Sequence, residues 1–126
     1  MSKEIKCRYW DMDINDHKMV YFTLATAGEI PVKILKLYPI MFSTNFVDVK
    51  GVEIYNGDII CYEKVIVKGK RTHIVKHYWE VFFDDRKGSW KTKRGETESA
   101  LFDKLENHYV VGNIYQNSDL MKNHVA

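Results

Sequence analysis

His73-Ile74-Val75-Lys76-His77-Tyr78-Trp79-Glu80-Val81-Phe82-Phe83 is the stretch on which the fold turns. β-branched and aromatic residues crowd it, and such side chains fit a pleated sheet. Alternate residues of a strand share a face, so Val75, Trp79, Val81 and Phe83 present one apolar face to a core. Asp84-Asp85-Arg86-Lys87-Gly88 then has the composition of a turn, and Ser89 to Lys93 reads as the strand that pairs back.

Upstream, Val52 to Tyr62 contains the tight-turn signal Asn56-Gly57-Asp58, followed by the apolar run Ile59-Ile60-Cys61-Tyr62. Val65 to Val67 continues as a strand into the charged turn Lys68-Gly69-Lys70. Downstream, Thr97 to Glu106 reads as a short helix, with Ala100, Leu101 and Leu105 as its apolar stripe and Thr97 as its N-cap. Tyr109 to Tyr115 is a final strand, and Ser118 is placed to cap a last helical turn. Short strands at tight spacing from Val52 onward are the pattern of a small barrel.

Toward the N-terminus, Lys3 to Trp10 alternates, with Ile5, Cys7 and Tyr9 on one face and Lys6 and Arg8 on the other. Asp11 to His17 has turn chemistry and Met19 to Leu24 resumes as a strand, which makes a hairpin. Pro31 suits the first position of a short helix within Ile30 to Tyr38, and Ser43 to Gly51 reads as a loop. The expected division is 1–50, hairpin and variable connecting segment, and 51–126, barrel lobe, with one continuous domain as the alternative.

The 126 residues suit one domain, or two very small lobes sharing a core, and at 45% hydrophobic and 13% aromatic they carry ample apolar surface to bury. Cys7 and Cys61 are too few for a secreted disulfide framework and form no C-x-x-C pair. No apolar signal core follows the polar start, and the most apolar stretch, Ile30 to Phe42, is broken by Pro31, Lys33, Lys36 and Pro39. The expected location is therefore the cytoplasm. Residues 1–63 carry seven Lys/Arg against nine Asp/Glu, and residues 64–126 carry twelve against eight, so the basic excess lies in the second half.

Catalytic and metal patterns fail on their own chemistry. Asp11-x-Asp13-x-Asn15 opens like a calcium loop, but Asp16 stands where Gly is needed and Phe22 where a bidentate Glu is needed. His73 and His77 share a strand face about 13 Å apart, too far for one ion. Asp84 and Asp85 are adjacent strand-end residues, better suited to a turn than to acid–base work. Cys61 sits in an apolar run, where a thiol behaves as a small hydrophobe. No Gly-rich phosphate loop is present. No catalytic residue, metal or cofactor is expected, so the chain is read as a non-enzyme.

One patch carries binding chemistry. Arg86, Lys87, Lys91, Lys93 and Arg94 surround Trp90, with Lys68, Lys70 and Arg71 on another turn. Cations that neutralise phosphates beside rings that stack on bases make a nucleic-acid surface. Turns and edge strands also carry Lys simply to block edge-to-edge pairing. Tyr78 and Trp90 with the neighbouring cations are the contact candidates, because aromatics and Arg anchor interfaces.

Three segments resemble the YopX family, proteins found mostly in bacteriophages, prophages and related mobile elements. Glu4-Ile5-Lys6-Cys7-Arg8-Tyr9-Trp10-Asp11 followed by Lys18-Met19-Val20-Tyr21 is similar to the family's opening, with Cys7 and Tyr9 in place of Phe and Ala. Phe42 to Ile59 is similar to its Thr-Gly-Leu-x-Asp-x-x-Gly-x-x-Ile-Tyr-x-Gly-Asp-Ile signature. Asn45 stands there where Gly is usual, and Asn is the residue that best tolerates a left-handed backbone. Val110-Val111-Gly112-Asn113-Ile114-Tyr115-Gln116-Asn117-Ser118-Asp119-Leu120 resembles the family's close.

The resemblance implies an SH3-like barrel in the C-terminal lobe, a phage or prophage origin and self-association, and it brings no catalytic residues. Its motif reads as scaffold: Gly51 and Gly57 supply turns, Ile54 and Ile59 enter the core, Asp58 bonds turn amides, and Gly112 permits close strand approach. The expected protein is mainly β, an N-terminal hairpin plus an SH3-like small barrel with one or two short helices. Its expected role is docking on a host or phage protein, with nucleic acid as the alternative partner.

Overall fold

The computed structural model describes residues 5–12, 17–29 and 36–122. The protein is mainly β, built of antiparallel strands with a single four-residue α-helical turn in the second unit. It divides into two compact units, Met1–Ser43 and Thr44–Ala126, whereas the sequence reading puts a boundary after residue 50.

In the first unit β1 (Lys6–Asp11) and β2 (Lys18–Thr23) form the expected hairpin, in register from Lys6 opposite Thr23 to Asp11 opposite Lys18. The other edge of β1 pairs with the start of β3 (Met41–Val47), Cys7 opposite Phe42 and Arg8 opposite Met41. Cys7, Tyr9 and Met41 are buried, and Tyr9 stacks on Tyr38 with ring centroids 5.8 Å apart. Arg8, expected on the outer face with Lys6, is buried too, while Lys6 is exposed. Alternation along a strand cannot reveal that both faces are covered at one residue. The turn holding the calcium-like pattern and most of the Ile30 to Tyr38 helix lie outside the described residues.

The second unit contains β4 (Glu53–Tyr55), β5 (Asp58–Lys68), β6 (Arg71–Asp84), β7 (Ser89–Arg94), β8 (Thr97–Ala100) and β9 (Tyr109–Asn113). β4 is hydrogen-bonded to β3, and the other five make a sheet in the order β8-β7-β6-β5-β9. This is the expected small barrel-like lobe, with its sheet open: β9 is an edge strand paired to β5 rather than a seal between two edges.

The Asn56-Gly57 turn knits this unit together. Gly57 has φ of 87°, a region that L side chains rarely adopt; its amide donates to Val81 O at 2.8 Å and its carbonyl accepts from Ile114 at 2.9 Å. Asp58 accepts the Tyr55 amide at 2.7 Å, as expected of a turn carboxylate. Ile54, Ile60, Val81 and Leu101 form the core, with Phe46, Trp79, Trp90, Leu105 and Val110 packed against it. Each fully buried aliphatic contributes about 1.5–3 kcal/mol. Ile59 is also fully buried.

Three expectations need correction. Ser43 to Val47 lies in a strand, not a loop: Asn45 takes φ of 65° and breaks the period-two pattern, so both Ser43 and Thr44 are buried. Thr44 Oγ1 donates to Ile54 O at 2.8 Å, holding β3 against β4. Thr97 to Ala100 is strand β8, paired to β7 across the Gly95-Glu96 turn, and only Leu101–Lys104 is helical, as a 3-10 turn. The Ala100, Leu101, Leu105 stripe suits a helix in isolation, but pairing with β7 overrides local preference. Gly112 is approached by the Asn117 side chain, which a Cβ would overlap, rather than by a neighbouring strand. The described residues end on helical turn α1 (Asp119–Lys122), where the Ser118 carbonyl accepts from Met121 at 3.1 Å.

Candidate functional site

The register of β6 against β7 decides the fate of the basic and aromatic segment. Val81 lies opposite Thr92, and Phe83 opposite Trp90, so these share the face that carries the core. Glu80 opposite Lys93 and Phe82 opposite Lys91 share the other face. Trp90 and Arg94 therefore point to one side of the sheet and Lys91 and Lys93 to the other. Trp90 is half-buried and meets Phe83 edge-on at 5.1 Å.

Lys91 pairs with Asp84 at 2.9 Å and Glu98 at 3.6 Å, and Lys93 pairs with Glu80 at 3.7 Å. The Lys91 hydrogen bond, with turn amides, holds the Asp84 carboxyl below the usual range, and the same bond raises Lys91. Arg86 and Lys87 are exposed in the turn, donating their amides to Asp84 Oδ1 at 3.0 and 3.3 Å. Tyr78 is half-buried opposite Cys61. The seven candidates do not form one surface.

Two other features emerge. The first is the far half of the β5–β6 hairpin. β9 covers β5 only at Asp58–Cys61, and β7 covers β6 only from Glu80 onward, so beyond these the two strands run as a bare ribbon. Val65 pairs with Ile74, and with Val67 they form one aliphatic face, 61%, 61% and 67% exposed. Positions 64–76 hold Lys64, Lys68, Lys70, Arg71 and Lys76 and no acidic residue.

The second is a shallow, open cleft of about 440 Å³ on the core-bearing face, lined by Tyr62, His77, Trp79, Arg94, Asp103, Lys104, Asn107 and His108. Arg94 Nη1 donates to His77 Nδ1 at 2.5 Å; arginine has no acceptor, so His77 carries its proton on Nε2. His108 Nδ1 donates to Asn107 Oδ1 at 2.5 Å, and its ring stacks on Tyr62 at 5.3 Å. Lys104 Nζ sits 3.8 Å above the Trp79 ring.

Burial pushes His108 down to about 4, helped by the Lys104 charge, and burial with Arg94 and Lys64 also lowers His77. Burial lowers Lys104 as well. Both rings are thus neutral at pH 7, beside two cations and one exposed carboxylate.

The remaining sequence candidates stay apart. His73 is exposed on the ribbon while His77 lies in the cleft. Asp84 faces the opposite side of β6 from His77, and Asp58 is spent on its own turn. Cys61 is fully buried, and burial raises its thiol. Sequence reasoning found Arg94 but missed Tyr62, Trp79, Lys104 and His108, which only cross-strand register and the 3-10 turn bring together. The ribbon was half visible: an acid-free run from Lys64 to Lys76 is legible, its lack of cover is not.

No curated protein matches the chain. The crystal structure of protein EF1440 from Enterococcus faecalis is similar, at 24% identity and a TM-score of 0.50, covering 90% of this chain and 74% of that one; the likeness is one of fold. The family model described as YopX protein matches residues 2–122. That span takes in both units and all three motif segments, and the chain belongs to the YopX family.

Proposed function

We propose that this protein is a non-enzymatic binding protein that docks on an acidic surface of a host or phage protein through the far half of the β5–β6 hairpin. The observation that carries the reading is the aliphatic face Val65, Val67 and Ile74, exposed on a ribbon whose outer positions 64–76 hold five cations and no acidic residue, with Glu63 at its base paired to Lys76 at 4.0 Å. A two-stranded ribbon is marginal by itself, and by its register one face is aliphatic while Lys64, Lys68 and Arg71 lie on the other, so a partner seated on the aliphatic face meets the cations around the ribbon's edges and tip. The net positive charge of the ribbon selects an acidic partner.

Nucleic acid is the weaker fit. The ribbon presents aliphatic side chains where stacking needs aromatic ones, Trp90 is packed on Phe83, and Lys91 and Lys93 are occupied by carboxylates. Affinity capture from host lysate tests the reading, using wild type and Val65→Thr with Ile74→Thr, each with and without nuclease. Threonine keeps β propensity, and both sites are exposed, so the fold is retained. The expected result is an acidic protein held through nuclease treatment and lost with the double variant. A species released by nuclease, a captured protein indifferent to the variant, or a wild-type dimer abolished by the variant each overturns it.

A further inference from the structure

We infer that the cleft between Tyr62, Trp79, Arg94, Lys104 and His108 is a binding site for the dianionic phosphate of a small molecule. It is separate from the ribbon and stands or falls independently of it. About 440 Å³ lies within the range of small-molecule sites, roughly 300–1,000 Å³.

The charge within it is only partly compensated, by the exposed Asp103. Arg94 gives one N–H to a neutral imidazole, and its Nε is buried with no hydrogen-bond acceptor among the described residues. A buried donor left without a partner is costly, and guanidinium N–H groups match phosphate oxygens in spacing and direction. Lys104 rests its ammonium on the Trp79 ring, again a neutral partner. Neither cation is in an ion pair among the described residues, in contrast with Lys91 and Lys93 on the other face of the sheet.

A phosphate monoester carries about −1.5 to −2 charges at pH 7, which suits two cations better than a carboxylate does. His77, with its proton on Nε2, adds a neutral donor ring to the lining. The Tyr62 and Trp79 rings supply apolar wall for whatever carries the phosphate. Asp103 is the one carboxylate in the lining, and it is exposed.

The test is NMR titration at constant ionic strength, following the Trp79 indole N–H and the Arg94 side chain. The probes are inorganic phosphate, a nucleoside 5′-monophosphate and chloride, applied to wild type, Arg94→Gln and Lys104→Met. The methionine keeps packing on Trp79 while removing charge, and amide resonances of the second unit away from the cleft, such as those of Gly57 and Val110, report that each variant is folded. Saturable shifts with phosphate, weakened about tenfold or more in both variants, are expected. Equal saturation by inorganic phosphate and the monoester marks a site for the free anion; preference for the monoester shows that the carrier is also bound. Shifts that chloride reproduces, that persist in the folded variants, or that never saturate overturn the inference.

Discussion

Asp48 Oδ2 accepts the amide of Val110 at 2.8 Å, across sixty-two residues of chain. Its Oδ1 accepts the amides of Lys50 and Val52, each at 2.8 Å. One buried carboxylate thus shapes the turn around Gly51 and ties it to β9, where Val49 N also donates to His108 O at 3.2 Å. The first Asp of the family signature, Asp48, is a tether rather than a reactive group. Asp48→Asn keeps one acceptor oxygen but turns an N–H₂ toward the Val110 amide, and should cost about 2 kcal/mol; Asp48→Ala should cost more, roughly 3 kcal/mol or above. Urea unfolding measures both, and equal stability of Asp48→Ala and wild type would remove the tether from the account.

Asn45 sits in a strand with φ of 65°. A β-branched residue is strained there, so Asn45→Val should destabilise by about 1–2 kcal/mol, although valine ordinarily favours strands. Asn45→Gly should be tolerated far better, because glycine enters this region freely. Thermal unfolding of the pair checks the sign: a Val variant as stable as the Gly variant contradicts the backbone argument.

His108 has a pH signature. Its folded pKa is lowered to about 4 from 6.5, by burial first and then by the charge of Lys104. The unfolded chain therefore takes up this proton near pH 6.5, and the folded chain only near pH 4. The stability linked to His108 is complete above about pH 7 and falls as the pH drops through that window, by about 2 kcal/mol between pH 7 and pH 5. Denaturant melts at the two pH values measure the loss, and His108→Gln should remove most of it. An unchanged pH slope in that variant would place the titration elsewhere.

Much of the scaffold is legible along the chain because its signals are local. The turns Asn56-Gly57, Gly69-Lys70 and Asp84 to Gly88 are written in residues whose side chains or missing Cβ act on their own backbone, and each falls where expected. The apolar faces of β1 and β6 follow from alternation, with the centre of the second face realised as Val81 in the core and Trp79 packed against it, while Phe83, near its end, is 41% exposed. Asn45 in place of glycine announces its left-handed backbone without any coordinates.

Partner-dependent features are not legible in this way. Thr97 to Ala100 reads as helix and Ser43 to Val47 as loop until β7 and β4 stand beside them, since a strand is completed by hydrogen bonds from a distant segment. Trp90 and Lys91 adjoin in sequence yet face opposite sides of the sheet, so a patch that is compact in composition is divided in space. His108 and Arg94 are neighbours only because β5, β6 and β7 fix a register and the 3-10 turn returns over it. The amino-acid sequence by itself determined where this chain turns, which strand faces are apolar and which family it resembles, all matters of nearest-neighbour chemistry. Which cations meet carboxylates, which line a cleft and which stand bare on a ribbon was decided by tertiary structure, because charge pairing depends on distances across strands rather than along them.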